Sequence, residues 1–267
     1  MKFVIVGKPE FEKSVEVVKE VYDYLKSRAD VTLELHTAKK LKLDGIPLEK
    51  IDTDIIITVG GDGTVLRTLQ NAKGKIFSIN VGKVGFLTET IPVDLERCMD
   101  RLLSGNYTID SRTKIKVMLN DKRLLDCTNE VVLHTVDIAK IRSYAIYVND
   151  ELAEDLRADG IIIATPTGST SYALSAGGPI VDPRLDAFEI THIAPFKLGA
   201  RSHIVPSNAV IDVHLLDMNK NSLLVLDGQQ QIVVSDKDKI RLTVSENRAE
   251  FIRFSRDYFR KFREKMI

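Results

Sequence analysis

The pattern of apolar residues changes near Gly105, and that change divides the chain into two kinds of structure. Before it, apolar runs take turns with helical spacing. FVIVG reads as a strand, and FEKSVEVVKEVYDYLKSRA, with Val15, Val18, Val21, Tyr22 and Leu25 near a helical period, as a helix. VTLEL and DIIITV, the latter bounded by Asp54 and Gly60, read as strands, TVLRTLQNA as a short helix, KIFSINV as a strand and Val93 to about Leu103 as a helix. Strands alternating with helices predict a parallel sheet covered on both faces. Beyond Gly105 the runs are short and rich in β-branched residues: TKIKVML, RLLDC, NEVVLHT, KIRSYAIYVN, GIIIAT, AVIDVHLL, LLVLDG, QIVVS and IRLTVS. Turn signals at Asn149-Asp150 and Asp227-Gly228 punctuate them, which predicts an antiparallel β-rich domain. The final stretch, EFIRFSRDYFRKFREKMI, returns to helical spacing through Phe251, Phe254, Tyr258, Phe262 and Met266. It is expected to form an amphipathic helix packed back on the first domain. The expected organisation is an α/β domain over 1–103, completed by 250–267, and a β-rich domain over 104–249.

With 267 residues, either domain can bury a substantial core. Lys and Arg total 38 against 38 Asp and Glu, so no overall field draws the protein to nucleic acid or to an anionic membrane. Cys98 and Cys127 are far apart, show no CxxC spacing and read as reduced thiols. The apolar run in MKFVIVGK is too short for a signal-peptide core, and no segment approaches a membrane span, so a soluble, cytoplasmic protein is expected. The histidines at 36, 134, 192, 203 and 214 have no metal-ligand spacing.

One short stretch carries chemistry. In TVGGDGTVLRT a buried strand passes into a helix through Gly60, Gly61, Asp62, Gly63 and Thr64, the place where open α/β sheets bind ligands. Glycines there let the backbone approach a phosphate, and a helix N-terminus favours an anion. The spacing is neither a P-loop nor GxGxxG. A carboxylate is a poor choice in an anion loop unless it accepts a proton from a hydroxyl that is being phosphorylated, and that is the role expected of Asp62. Arg67, one turn on, would offset negative charge on the donor.

GGDGT alone marks a superfamily of kinases without a P-loop, which includes diacylglycerol, sphingosine and NAD kinases and phosphofructokinases. DGIIIATPTGSTSYALSAGGPIV (159–181), NVGKVGFLTE (80–89) and TNEVVLH (128–134) make the whole chain resemble the NAD kinase family, of archaeal or bacterial type. The resemblance implies phosphorylation of the 2′-hydroxyl of the adenosine ribose of NAD to give NADP. The donor would be ATP or polyphosphate, with Mg²⁺ or another divalent cation carried on its phosphates and metal ligands that the sequence does not name. It implies that Asp62 is the proton acceptor, that Gly63 contacts the dinucleotide through its backbone, and that Gly60, Gly61 and Thr64 form the donor-phosphate loop. Phe86 is expected against the adenosine side, with Asn129 and Glu130 holding the dinucleotide. Asp159, Thr167, Thr170, Ser171, Tyr172, Ala173, Leu174 and Ser175 are expected to line the pocket, with contacts from Lys140, Arg157, Ala194 and Gln229. Lys140 stands where many relatives have arginine, which removes a bidentate contact. A homodimer or homotetramer is also implied, with the β-rich domains making its contacts. A lipid kinase of the diacylglycerol type would need an acyl channel where residues 165–175 are small and polar. A noncatalytic NAD sensor would have no need of the intact Asp62.

Overall fold

The computed structural model describes residues 1–82, 85–137, 140–255 and 262–263. Two compact units emerge: Met1–Ser111 with Glu250–Ile267, and Arg112–Ala249.

The first unit is built on a seven-stranded sheet in the order Gly45–Ile46, Asp30–Glu34, Lys2–Gly7, Asp52–Gly60, Lys73–Asn80, Ala249–Arg253 and Thr108–Arg112. The pairings from Gly45–Ile46 through Ala249–Arg253 are parallel. Its central strands are buried on both faces, which is why FVIVG and DIIITV read as unbroken apolar runs. The Glu12–Leu25 helix buries Val17, Val18, Val21 and Leu25, and the Leu95–Leu103 helix buries Leu95, Cys98, Met99 and Leu102 in the same core as Phe3, Ile57 and Phe77. A helix over Leu35–Leu41 was not expected from the sequence; Glu34 caps it by accepting the Thr37 N–H at 3.0 Å.

The sequence places a helix from Phe251 onward, whereas Ala249–Arg253 is a strand pairing parallel with Lys73–Asn80 at Phe251 and Ile76. In EFIR the residues at 251–253 are buried on both faces of a sheet, an environment that suits consecutive apolar side chains better than a helical stripe does. The rest of that expected helix lies largely outside the described residues.

The second unit consists of two antiparallel six-stranded sheets. One runs Glu151–Ala158, Arg142–Val148, Ile211–Leu215, Ile240–Val244, Ile115–Leu119, Lys122–Arg123; the other His203–Pro206, Ala187–Ile193, Gly160–Ala164, Glu130–Thr135, Ser222–Leu226, Gln230–Val234. Alternate residues of both sheets, among them Val117, Tyr144, Ile146, Leu133, Ile163, Phe188 and Leu224, meet in one core, as in a β-sandwich. RLLDC, expected as a strand, pairs at its two ends, through the Lys122–Arg123 strand and through a bridge between Cys127 and Ile115. Three strands lie beyond the expected runs: Glu151–Ala158, Ala187–Ile193 and His203–Pro206. Both turn signals are turns with left-handed backbone, at Asn149 (φ 52°) and Asp150 (φ 64°) and at Asp227 (φ 48°) and Gly228 (φ 65°). Among the described residues no helix is long and apolar enough to cross a membrane.

Candidate active site

The Asp52–Gly60 strand ends where the Asp62–Asn71 helix begins, and the helix closes its first turn on the Gly61 carbonyl, which accepts the Thr64 N–H at 3.0 Å and the Val65 N–H at 3.3 Å. The glycines here answer different needs. A β-carbon on Gly60 would lie 2.2 Å from Thr64 Oγ1, so Gly60 is required by the loop's own packing. A β-carbon on Gly61 or Gly63 would meet nothing within 4 Å. Neither residue has the left-handed backbone that demands glycine, so the missing side chains leave open approach to the backbone itself.

Asp62 is the first residue of the helix, and its carboxylate is fixed across the chain: Oδ2 accepts the Phe86 N–H at 2.8 Å and Oδ1 the Leu87 N–H at 3.1 Å. Gly85 makes this approach possible, since a β-carbon there would sit 2.0 Å from Asp62 Oδ1. The 85–90 segment is in turn tied to the Lys73–Asn80 strand, with the Ser78 carbonyl accepting the Glu89 N–H at 2.9 Å and the Thr90 carbonyl accepting the Asn80 N–H at 2.7 Å. Behind it, the buried Arg253 donates from Nη1 to the Leu87 carbonyl at 3.0 Å and to Glu89 Oε2 at 3.1 Å, and from Nε to Asp110 at 3.3 Å. Two backbone N–H bonds, one to each oxygen, fix the orientation of the carboxylate. Phe86 lies beside this carboxylate with its ring 6.4 Å from that of Phe262. Arg67 is half-buried on the same helix.

Within the second unit, Asn129 and Glu130 enter the Glu130–Thr135 strand beside Ala164, the last residue of Gly160–Ala164. Their backbone is saturated internally. Asp227 accepts the N–H groups of Thr128 (2.8 Å), Asn129 (2.7 Å) and Glu130 (3.0 Å). Thr165 takes the other side, its hydroxyl donating to the Thr128 carbonyl at 2.5 Å and its N–H to the Asn129 carbonyl at 2.8 Å. Gly168 packs so closely that a β-carbon would lie 2.2 Å from the Asn129 carbonyl oxygen. The side chains, by contrast, are left with acceptors to offer: Asn129 Oδ1 and Glu130 Oε2 are buried without a hydrogen-bond partner. Such orphans are rare and mark a place for a ligand or water. Burial, reinforced by the neighbouring Asp227 charge and opposed by the Ser171 hydroxyl, pushes the Glu130 carboxyl up to about 8. Burial also raises Asp227, to about 6, against the three N–H bonds and the nearby Lys114. At neutral pH Glu130 therefore holds the proton and can donate a hydrogen bond, while Asp227 holds the charge.

Thr167 is buried, Thr170 donates to the Thr167 carbonyl at 3.3 Å, and Ser171 reaches Glu130 Oε1 at 3.4 Å. The helix expected near Ser171 is a single turn, Tyr172–Ser175, with Ala173 buried, Leu174 half-buried, and Tyr172 and Ser175 exposed. Gln229 follows the Asp227 turn and donates to the Asp227 carbonyl at 3.4 Å. These residues gather at one end of the Gly160–Ala164 strand. Asp159 stands at the other end, its carbonyl accepting the Thr135 N–H at 2.8 Å and its N–H donating to Ile193, which precedes Ala194. Arg157, whose guanidinium lies 5.5 Å over the Phe196 ring, belongs to that second group. Five residues of strand, about 16 Å, separate the two groups. Lys140 is exposed, 3.5 Å from Asp137, and joins neither by a contact.

The ATP-NAD kinase N-terminal domain model matches residues 3–107, and the ATP-NAD kinase C-terminal domain model matches 128–254. The chain belongs to the NAD kinase family. It is 42% identical to the NAD kinase of Methanothermobacter thermautotrophicus, covering 100% of this chain and 96% of that protein, and 40% identical to that of Thermococcus kodakarensis, covering 100% and 99%. Among solved structures, an NAD kinase from Archaeoglobus fulgidus in complex with ATP superposes with a TM-score of 0.81 at 29% identity, covering 100% of this chain and 97% of that one. Yeast NADH kinase complexed with NADH shares the fold, with a TM-score of 0.90 at 24% identity, over 100% of this chain and 87% of that one. As a member of the family, the chain is a phosphotransferase acting on NAD.

Sequence reasoning passes over the residues that hold this NAD kinase's candidate groups in place. Gly85 lies inside the recognised NVGKVGFLTE motif, but its need to be glycine shows only when Asp62 is seen against it. Asp227 is visible as a turn signal and not as the acceptor for residues nearly a hundred positions earlier. Arg253 sits in what reads as a helix. No group of three or more His, Cys, Asp or Glu among the described residues is arranged to hold a metal ion.

Proposed function

We propose that the chain transfers the terminal phosphoryl group of ATP or polyphosphate to the 2′-hydroxyl of the adenosine ribose of NAD, forming NADP. The observation that carries this reading is the Asp62 carboxylate, held by two backbone N–H groups at a helix N-terminus between glycines that open onto empty space. Asp62 accepts the hydroxyl proton as the oxygen attacks phosphorus. The backbone at Gly61 and Gly63 approaches the phosphates and ribose, with Gly60 and Thr64 fixing the loop and Arg67 offsetting charge. Phe86 lies against the adenosine. Asn129 and Glu130 hold the dinucleotide through the orphaned oxygens, and Thr167, Thr170, Ser171, Tyr172, Ala173, Leu174, Ser175 and Gln229 surround it. Rate enhancement comes from positioning and from charge stabilisation, since phosphoryl transfer leaves the protein little covalent work. Mg²⁺ on the donor supplies charge neutralisation when bound.

Asp159, Arg157 and Ala194 lie at the end of the Gly160–Ala164 strand opposite Asn129, and this supports a homo-oligomer in which one copy's Asp159 group completes the site of another; Lys140 belongs to neither group. Light scattering of the purified protein tests that part.

The deciding assay is NADP formation with NAD and Mg²⁺, run with ATP and with polyphosphate, beside Asp62→Asn. Turnover that collapses in the variant while NAD still binds supports the role of Asp62. Wild-type protein that binds NAD and makes no NADP with either donor refutes the reading.

A further inference from the structure

The Asn129-Glu130 pair is not held by its own strand alone. Three consecutive N–H groups, those of Thr128, Asn129 and Glu130, converge on one carboxylate that belongs to the turn after Ser222–Leu226. The turn returns the bond, the Asp227 N–H donating to the Glu130 carbonyl at 3.0 Å and so extending the ladder between the two strands by one residue. Asp227 adopts φ 48° and Gly228 φ 65°, left-handed conformations that Asp and Gly tolerate and bulkier residues resist. Asp227 is only 3% exposed, so the carboxylate forgoes water for these N–H groups.

We propose that Asp227 is the positioning residue of the NAD site: its carboxylate fixes the Thr128–Glu130 backbone so that the side chains of Asn129 and Glu130 present their unpartnered oxygens to the dinucleotide. The proposal rests on the reading of Asn129 and Glu130 as NAD-holding residues. Its chemistry is specific to a carboxylate. Two oxygens accept three N–H groups, whereas an amide of the same shape would turn an NH₂ donor toward at least one of them. The ligand contacts would be lost indirectly, because the Asp227 carboxylate is engaged with the backbone of Thr128, Asn129 and Glu130. Burial, and after it the neighbouring Asp227 charge, is why Glu130 keeps its proton.

The test is steady-state kinetics of Asp227→Asn on the full chain, with the melting temperature recorded alongside. A positioning role predicts KM for NAD raised at least about tenfold, with KM for the donor unchanged, as expected for losing one or two hydrogen bonds to the dinucleotide. A merely structural role predicts both KM values unchanged and kcat reduced in step with the folded fraction, and that result overturns the proposal. Gly228→Val keeps the assay decisive where Asp227→Asn does not fold. Its side chain would point into open space, yet a β-branched residue resists φ 65° and would pull the turn away from Thr128. A rise in KM for NAD of threefold or more is expected, and an unchanged value counts against the proposal. Asn129→Ala and Glu130→Gln separate the two failures. If neither alters KM for NAD, the underlying reading falls and this proposal with it; if both do and Asp227→Asn does not, only the proposal is overturned.

Discussion

Replacing Gly85 by alanine tests whether the exact seat of Asp62 matters. The new β-carbon would lie 2.0 Å from Asp62 Oδ1 and 2.8 Å from Cγ, while real contacts of this kind stay beyond 3.0 Å. Either the carboxylate or the 85–87 backbone must therefore retreat by about 1 Å, the difference between those distances. Such a retreat lengthens the bonds to the Phe86 and Leu87 N–H groups, now 2.8 and 3.1 Å, past useful range. A misplacement of about 1 Å at a reacting group costs on the order of a hundredfold in rate, or about 2.7 kcal/mol of barrier. Because Asp62 is half-buried, water replaces part of the lost hydrogen bonding, and folding stability should fall by only about 1–2 kcal/mol. Initial rates of NADP formation, NAD binding and thermal melting are measured together. A kcat within threefold of wild type in a folded Gly85→Ala protein would refute the view that the Gly85 contact holds Asp62 in a working position.

Gly61→Ala and Gly63→Ala should keep the melting temperature within about 2 °C, because both sites open onto empty space, and should raise KM for the donor or for NAD by about tenfold; a loss of stability with unchanged KM would contradict this. Arg253→Met leaves the buried Glu89 carboxylate without its guanidinium and should cost about 3–5 kcal/mol in denaturant unfolding. Glu130 sits at about 8 when folded against 4.5 for the free side chain, so its contribution to stability is complete below about pH 4.5 and is lost as pH rises through about 8. That change is worth on the order of 5 kcal/mol at most. Asp227 adds the same sign between 3.8 and about 6. Melting temperature should decline from pH 5 to pH 9 in the wild type, and Glu130→Gln should flatten the decline above pH 6; equal slopes in the two proteins would count against a buried, proton-holding Glu130.

The α/β and β-rich character of the two parts was legible because FVIVG, DIIITV and KIFSINV are too uniformly apolar for anything but buried strands, and because NEVVLHT and GIIIAT are bounded by turn residues. The strand Glu151–Ala158 escaped notice for the opposite reason. It is a sheet edge with mostly exposed positions, and ELAEDLRA carries the charges an edge strand uses against aggregation. EFIRF misled because aromatic residues three apart satisfy a helical period as well as they fill a buried strand. The chemical groups could be named from motifs, but their support could not. Asp62 and Phe86 are 24 positions apart and Asp227 and Thr128 are 99 apart, and only the folded chain shows that one residue of each pair exists to hold the other.

The Ala249–Arg253 strand sets the order in which a nascent chain can finish itself. It is the neighbour of both Lys73–Asn80 and Thr108–Arg112 in the sheet, yet it leaves the ribosome only after Arg112–Ala249 has been synthesised. At about 5–20 residues per second, that interval is roughly seven to thirty seconds. Throughout it the Lys73–Asn80 edge lacks its partner at Ile76, though residues 89–90 cover its Ser78–Asn80 end, while the entire second unit, a continuous stretch, emerges and can fold first. The part made earliest is the part completed last, and until its final strand arrives the open stretch of that apolar edge is a place for mispairing.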